Sequence, residues 1–204
     1  MIFFHIFVPT TSHNAMKYLS FFILLFIGEL SVSAQHMFSR QFPFFNQLSS
    51  NEIFSIHQDR EGYFWIGTTN GLARYDGYQL NTFRTDYKNQ NLLTDNGITA
   101  INDNDLYVWI GTWKGLNLYN KQTCRITPFS DARLLDKVVD AITVDKDGNV
   151  WVSAGGMIYR CDSTAHIIKE YEVGNIQEGY AISNIYVDQQ KQLWAVGSRG
   201  IFRY

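Results

Sequence analysis

Residues 59–76 read Asp59-Arg60-Glu61-Gly62-Tyr63-Phe64-Trp65-Ile66-Gly67-Thr68-Thr69-Asn70-Gly71-Leu72-Ala73-Arg74-Tyr75-Asp76, and close relatives of this stretch recur downstream. Trp65 is echoed by Trp109, Trp151 and Trp194, at spacings of 44, 42 and 43 residues. A fixed period of this size, built on short apolar runs between turn residues, marks stacked four-stranded units.

Each unit can be read as four strands. The first carries an apolar pair: Ile53 and Ile56, Ile98 and Ile101, Val139 and Ile142, Ile182 and Ile185. Three residues after the second of each pair stands Asp59, Asn104, Asp145 or Asp188, a short side chain that favours a turn by bonding the backbone ahead of it. Gly62 and Gly148 supply permissive backbone in two of these turns; the second unit's turn is one residue shorter, and the fourth has Lys191 at the glycine's place. The Trp strand follows, then a turn ending at Gly71, Gly115, Gly156 or Gly200, and a third strand. Outer strands are expected at 79–84, 124–129 and 167–171; the fourth unit has none. A large aromatic at one fixed point of every unit fills the space between neighbouring twisted sheets, so the four repeated tryptophans read as core. Gly67 and Gly111 close the Trp strands, where tight backbone is expected.

This pattern resembles the two-component regulator propeller repeat. In the first unit the resemblance rests on Leu48-Ser49-Ser50-Asn51, Ile53, Ile56, Asp59, Gly62, Trp65-Ile66-Gly67-Thr68, Asn70-Gly71-Leu72 and Tyr75-Asp76-Gly77. The second unit keeps Trp109-Ile110-Gly111-Thr112 and Gly115-Leu116, the third Asp145, Gly148 and Trp151, the fourth Asp188, Trp194 and Gly200. Other propeller families fit less well: no Trp-Asp dipeptide closes a third strand, and the regular Asp stands six residues before its Trp rather than five.

The resemblance implies an all-β propeller of four-stranded antiparallel blades, with about four blades at 52–85, 97–129, 138–171 and 181–204. It also implies the periplasmic sensor region of a hybrid histidine kinase, which detects glycan fragments and signals by phosphorelay. Kinase and output domains would lie outside this chain, which is then not an enzyme and needs no cofactor. The partners implied are a small carbohydrate ligand and further blades or a second sensor chain. Four units, the last without its outer strand, are expected to form an incomplete ring, the first piece of a longer sensor. The alternative is a small closed ring, with the apolar, proline-bearing run 37–45 in the lead-in (35–51) supplying the missing strand. A stand-alone secreted propeller enzyme or lectin-like protein is the second functional reading.

Bulk properties fit. The chain has 204 residues, 46% apolar and 16% aromatic, ample for a core. Its net charge is −2 with no basic run, so a nucleic-acid partner is not expected. At the N-terminus, Met16-Lys17-Tyr18 opens onto an apolar run at 19–27 and small residues Val32-Ser33-Ala34. This reads as a secretory signal over 1–34, with Met16 the candidate true start, an exported periplasmic product and no stable span beyond that segment. Cys124 and Cys161 have neither redox nor zinc spacing; a disulfide is open if the chain is exported, and two small buried hydrophobes is the preferred reading.

No nucleophile elbow, phosphate loop or metal-ligand spacing occurs, and the regular carboxylates belong to turns. Binding has a better address. In a propeller, the loops joining the second and third strands share one face with the loops joining blades. Trp113 is the one tryptophan off the repeat, beside Lys114, where the first unit has Thr69 and Asn70. An exposed indole can stack on a sugar ring, with Lys114, Asn70 and Arg199 as polar neighbours; equally, it can cap the adjoining blade.

Overall fold

The computed structural model describes residues 41–85, 92–173, 181–198 and 200–204. Of two compact units, Met1–Gln41 and Phe42–Tyr204, all of these but Gln41 belong to the second. The expected signal segment lies outside the described residues. Among the described residues, no helix is long and apolar enough to cross a membrane.

Four antiparallel sheets follow one another. The first is β1 (Ile53–Gln58), β2 (Phe64–Thr68), β3 (Gly71–Tyr75) and β4 (Leu80–Phe83). The second is β5 (Ile98–Asp103), β6 (Tyr107–Thr112), β7 (Gly115–Asn120) and β8 (Arg125–Pro128). The third is β9 (Val139–Val144), β10 (Val150–Ala154), β11 (Met157–Cys161) and β12 (Ile167–Glu172), and the fourth only β13 (Ile182–Val187), β14 (Leu193–Gly197) and β15 (Gly200–Arg203). Inner strands pack in sequence, β1 on β5, β5 on β9 and β9 on β13, so the sheets stand side by side as the blades of a β-propeller. The strands fall where the repeat places them, with ends moved by about a residue.

Between blades the core is built from the Trp strands. Trp65, Leu72, Ile98, Ile101, Val108, Ile110 and Tyr119 form one cluster across the first two blades. The Trp65 ring meets Tyr119 edge-on, with centroids 4.8 Å apart. Trp109 lies in a second cluster with Val139 and Ile142, and Trp151 in a third with Ile182 and Ile185. Gly67 is required by this approach: a Cβ there would sit 2.6 Å from Ile98 Cγ2, and Gly111 stands in the same relation to Val139. The repeated glycine is therefore the socket into which the next blade's first residue seats.

The regular aspartate does more than shape a turn. Asp59 accepts the backbone N–H of Glu61 and Tyr63 on one oxygen, while its other oxygen accepts the buried Trp65 indole N–H at 2.6 Å. Asp145 repeats all three bonds with Asp147, Asn149 and Trp151, and Asp188 with Gln190, Gln192 and Trp194. The six-residue spacing is what brings carboxylate and indole together. The Trp194 indole N–H and two backbone N–H bonds hold the Asp188 carboxyl below the usual carboxylate range. In the fourth turn Lys191 adopts φ +63°, doing what Gly62 and Gly148 do, and its ammonium bridges to Asp147 at 2.6 Å.

In the lead-in, a single 3-10 turn spans Phe45–Gln47. Phe42 meets Tyr75 of blade 1 edge-on at 5.0 Å, and Phe44 packs on the same ring. No strand of the described lead-in joins the fourth sheet; 37–40 lie outside the described residues. Both cysteines are free. Cys161 is buried as expected, but Cys124 is exposed, because it sits at φ +55° in the turn before β8.

Candidate functional site

The β2–β3 and β6–β7 loops are locked by the same device. The Thr68 hydroxyl donates to the Gly71 carbonyl at 2.8 Å and accepts the Asn70 N–H; Thr112 does the same with Gly115 and Lys114. Both threonines are buried, so each loop tip is held from beneath. The crossing from blade 1 to blade 2 is pinned between them. Asn96 exchanges two 2.8 Å bonds with the Thr85 backbone, its carbonyl accepts the Gly71 N–H at 2.7 Å, and the Gly97 carbonyl accepts the Trp113 N–H at 3.1 Å. Residues 70–71, 95–97 and 113–114 thus share one end of the blades.

Trp113 rests on this crossing. A Cβ at position 97 would fall inside its indole, so Gly97 is the floor on which the ring lies. The Phe54 ring, on β1, meets its edge at 6.3 Å. The remaining surface is open, leaving Trp113 44% exposed. Lys114 lies beside it, its ammonium 3.8 Å from the Asp95 carboxylate, which itself accepts the Gly97 N–H. The result is a fixed indole face flanked by one cation and one anion.

Of the four residues expected here, Trp113 and Lys114 come together. Asn70 lies at the same end but uses its amide in the scaffold, donating to the Ser49 carbonyl at 3.4 Å and accepting from Arg84 at 2.8 Å. Arg199 lies outside the described residues. Sequence reasoning missed Phe54 and Asp95. Phe54 was detectable: it is the departure at a register position where the other blades carry Thr99, Asp140 and Ser183.

The opposite end of the blades is closed by charge. Burial alone would raise the Asp103 carboxyl. His57 Nε2 at 2.7 Å, the Lys121 ammonium at 2.7 Å and the Arg60 backbone N–H outweigh it and bring the group to about 2. On β9, burial pushes the Asp140 carboxyl up to about 6. Among the described residues no three His, Cys, Asp or Glu side chains cluster as a metal would require.

Comparison with known proteins places this architecture. Residues 47–70 match the family model for the two component regulator propeller. No curated protein matches the chain. Among solved structures, the chain is similar to the extracellular domains of two hybrid two component systems of B. thetaiotaomicron. Each is 20% identical over 76% of this chain and 22% of its own length, with TM-scores of 0.61 and 0.60. It is also similar to virginiamycin B lyase from Staphylococcus aureus, at 18% identity over 75% of this chain and 55% of the lyase, with a TM-score of 0.57. The chain therefore spans under a quarter of the length of the sensor domains whose fold it shares. It is a β-propeller in which residues 47–70, carrying β1 and β2 of the first blade, match the two component regulator propeller repeat.

Proposed function

We propose that this chain is part of the extracytoplasmic ligand-sensing region of a two-component receptor, and that it takes a glycan fragment at the Trp113 face. The supporting observation is the indole itself: it is off the repeat, held on Gly97 and Phe54, and open to solvent on its remaining surface. A sugar ring stacks on such a face while its hydroxyls bond the Lys114 ammonium and the Asp95 carboxylate. The sensor reading follows the repeat at 47–70 and the extracellular domains that share the fold. The signal-like segment before residue 35 fits export to the periplasm. The kinase that would pass the signal on belongs to the rest of such a receptor.

Calorimetric titration with a panel of oligosaccharides tests the site. One or more members should bind, and Trp113→Ala should weaken that binding at least about tenfold. Unchanged affinity in the variant removes Trp113 from the site. The second reading is a stand-alone carbohydrate-active or lectin-like propeller, a fold that virginiamycin B lyase shows can carry an enzyme. Turnover of a bound glycan by the purified chain would favour it.

A further inference from the structure

The first strand of every blade bulges at one place, which leaves Phe54, Thr99, Asp140 and Ser183 without a cross-strand partner. A bulge of this kind re-aims the side chain it carries. In blade 2 the aim is visible. The Thr99 hydroxyl leaves its own sheet and donates to the Val139 carbonyl, on the first strand of blade 3, at 2.6 Å. Three residues along β5, the Asn102 amide donates to the Ile142 carbonyl at 3.1 Å. The seam between blades 2 and 3 is thus closed by two side-chain donors that meet backbone acceptors.

The seam between blades 3 and 4 repeats this arrangement with one change of chemistry. There β9 packs on β13 as β5 packs on β9, Ile182 holds the place of Val139, and the bulged residue is Asp140. Ser153 holds the place of Gly111, where a Cβ would lie 3.2 Å from the Thr99 hydroxyl oxygen, so its side chain stands against that of Asp140. Ser153 is fully buried, and among the described residues its hydroxyl has no hydrogen-bond partner. An ionised carboxyl only accepts, so opposite a backbone carbonyl it repels where a threonine hydroxyl bonds.

No cation is at hand to hold that charge. The strands packed on β9 are β5, β6, β10 and β13. Of these, β6, β10 and β13 carry no charged residue; their titratable groups, Tyr107 and Tyr186, lie toward the other end of the blades. The one charge on β5 is Asp103, also at that other end and engaged with His57 and Lys121. Burial accordingly pushes the Asp140 carboxyl up to about 6, and no charged neighbour among the described residues counters it.

We propose that Asp140 is a proton-operated clasp between blades 3 and 4: carrying its proton, the carboxyl donates to the Ile182 carbonyl as the Thr99 hydroxyl donates to the Val139 carbonyl. When the proton leaves to solvent, the donor is lost and an anion faces the carbonyl dipole, so water enters the seam. The group holds its proton more tightly with the seam closed. The clasp is therefore complete below pH 3.8 and is lost as pH rises through about 6. The seam between blades 2 and 3, closed by a hydroxyl and an amide, does not change over this range.

Native-state amide hydrogen exchange of the full chain from pH 4 to pH 7.5, corrected for intrinsic rates, tests this strand by strand. Protection of β13 should fall about fivefold between pH 4 and pH 7 relative to β6 of blade 2. Asp140→Asn keeps a donor at every pH and should hold β13 at the acid level throughout. Asp140→Ala has no donor and should hold it at the neutral level throughout. The proposal is overturned if wild-type β13 protection does not change with pH, or if β6 falls as much as β13. It is overturned equally if Asp140→Ala protects β13 as well as Asp140→Asn, since relief of a buried charge would then be the whole effect.

Discussion

Blades 1 and 2 solve the same structural problem in different ways. In blade 1 the Asp59 carboxylate holds the turn and the Trp65 indole together, and Arg74 lies over Trp65 across the β2–β3 pair. In blade 2 the turn is a residue shorter; the Asn104 side-chain oxygen accepts the backbone N–H of Leu106 and Tyr107, and its amide donates not to an indole partner but to the Ser163 carbonyl of blade 3 at 3.2 Å. The Trp109 indole N–H is buried without a partner, and Leu118 stands where blade 1 has Arg74. Anion and cation have been lost together. A charge reappears one residue earlier, where Asp103 gathers Lys121 from its own blade and His57 from blade 1. Apolar packing keeps the period, while the polar bonds can slip one residue and cross a blade boundary.

The largest effect is expected from breaking that crossing. Lys121→Met leaves Asp103 as a buried anion held mainly by His57 and should cost about 3 kcal/mol in denaturant unfolding at neutral pH. The pH dependence has a definite sign. Asp103 titrates lower in the folded chain, at about 2 against an ordinary 3.8, so its contribution is present above pH 3.8 and is lost as pH falls toward 2. The wild type should lose stability through that window, and Lys121→Met should lose less.

Next in size is the clasp itself. Asp59→Ala orphans an indole N–H and two backbone N–H groups and should cost about 2–3 kcal/mol by thermal melting. Asn104→Ala orphans the backbone pair and releases the Ser163 carbonyl, which belongs to an exposed residue and can turn to water, so it should cost about 1 kcal/mol less. If the two cost the same, the carboxylate–indole bond contributes nothing and the contrast between the blades is only geometric. A finer test exchanges the rings. Trp65→Phe strands a carboxylate oxygen, whereas Trp109→Phe removes an orphan donor, so the second should be milder by about 1 kcal/mol.

The smallest change lies outside both blades. Asp140, on β9, holds its proton more tightly when folded, so its stabilising effect is full below pH 3.8 and is lost as pH rises through about 6. Asp140→Asn should therefore raise stability by roughly 1 kcal/mol at pH 7 and leave it nearly unchanged at pH 4. Equal effects at both pH values would mean the carboxyl is not desolvated.

The strands were legible because aromatic and β-branched residues recur in phase, and burial between blades admits little else at those positions. Even the degenerate fourth turn was placed correctly, although nothing in the sequence says that Lys191 adopts a glycine's backbone. The Asp–Trp bond was half legible: the six-residue spacing was visible, but a turn alone accounts for an aspartate there. His57 and Asp103 were not legible as a pair, since they meet only after two blades have packed. At the candidate site the exception to the repeat, Trp113, was readable from sequence. Its floor, Gly97, was not, because it reaches the ring from the blade crossing; its wall, Phe54, stands out as a departure from the register, but its pairing with Trp113 forms only when the two blades pack.

The proposed function implies a division of labour: tryptophans in the repeat hold blades together, and the tryptophan outside it would meet the ligand. Indole N–H resonances of the five tryptophans, followed by NMR during an oligosaccharide titration, test it most directly. Trp65, Trp151 and Trp194, bonded to carboxylates, should resonate downfield of Trp109 and stay fixed, while Trp113 shifts with ligand. A titration in which Trp113 stays still and a repeat tryptophan moves would contradict it.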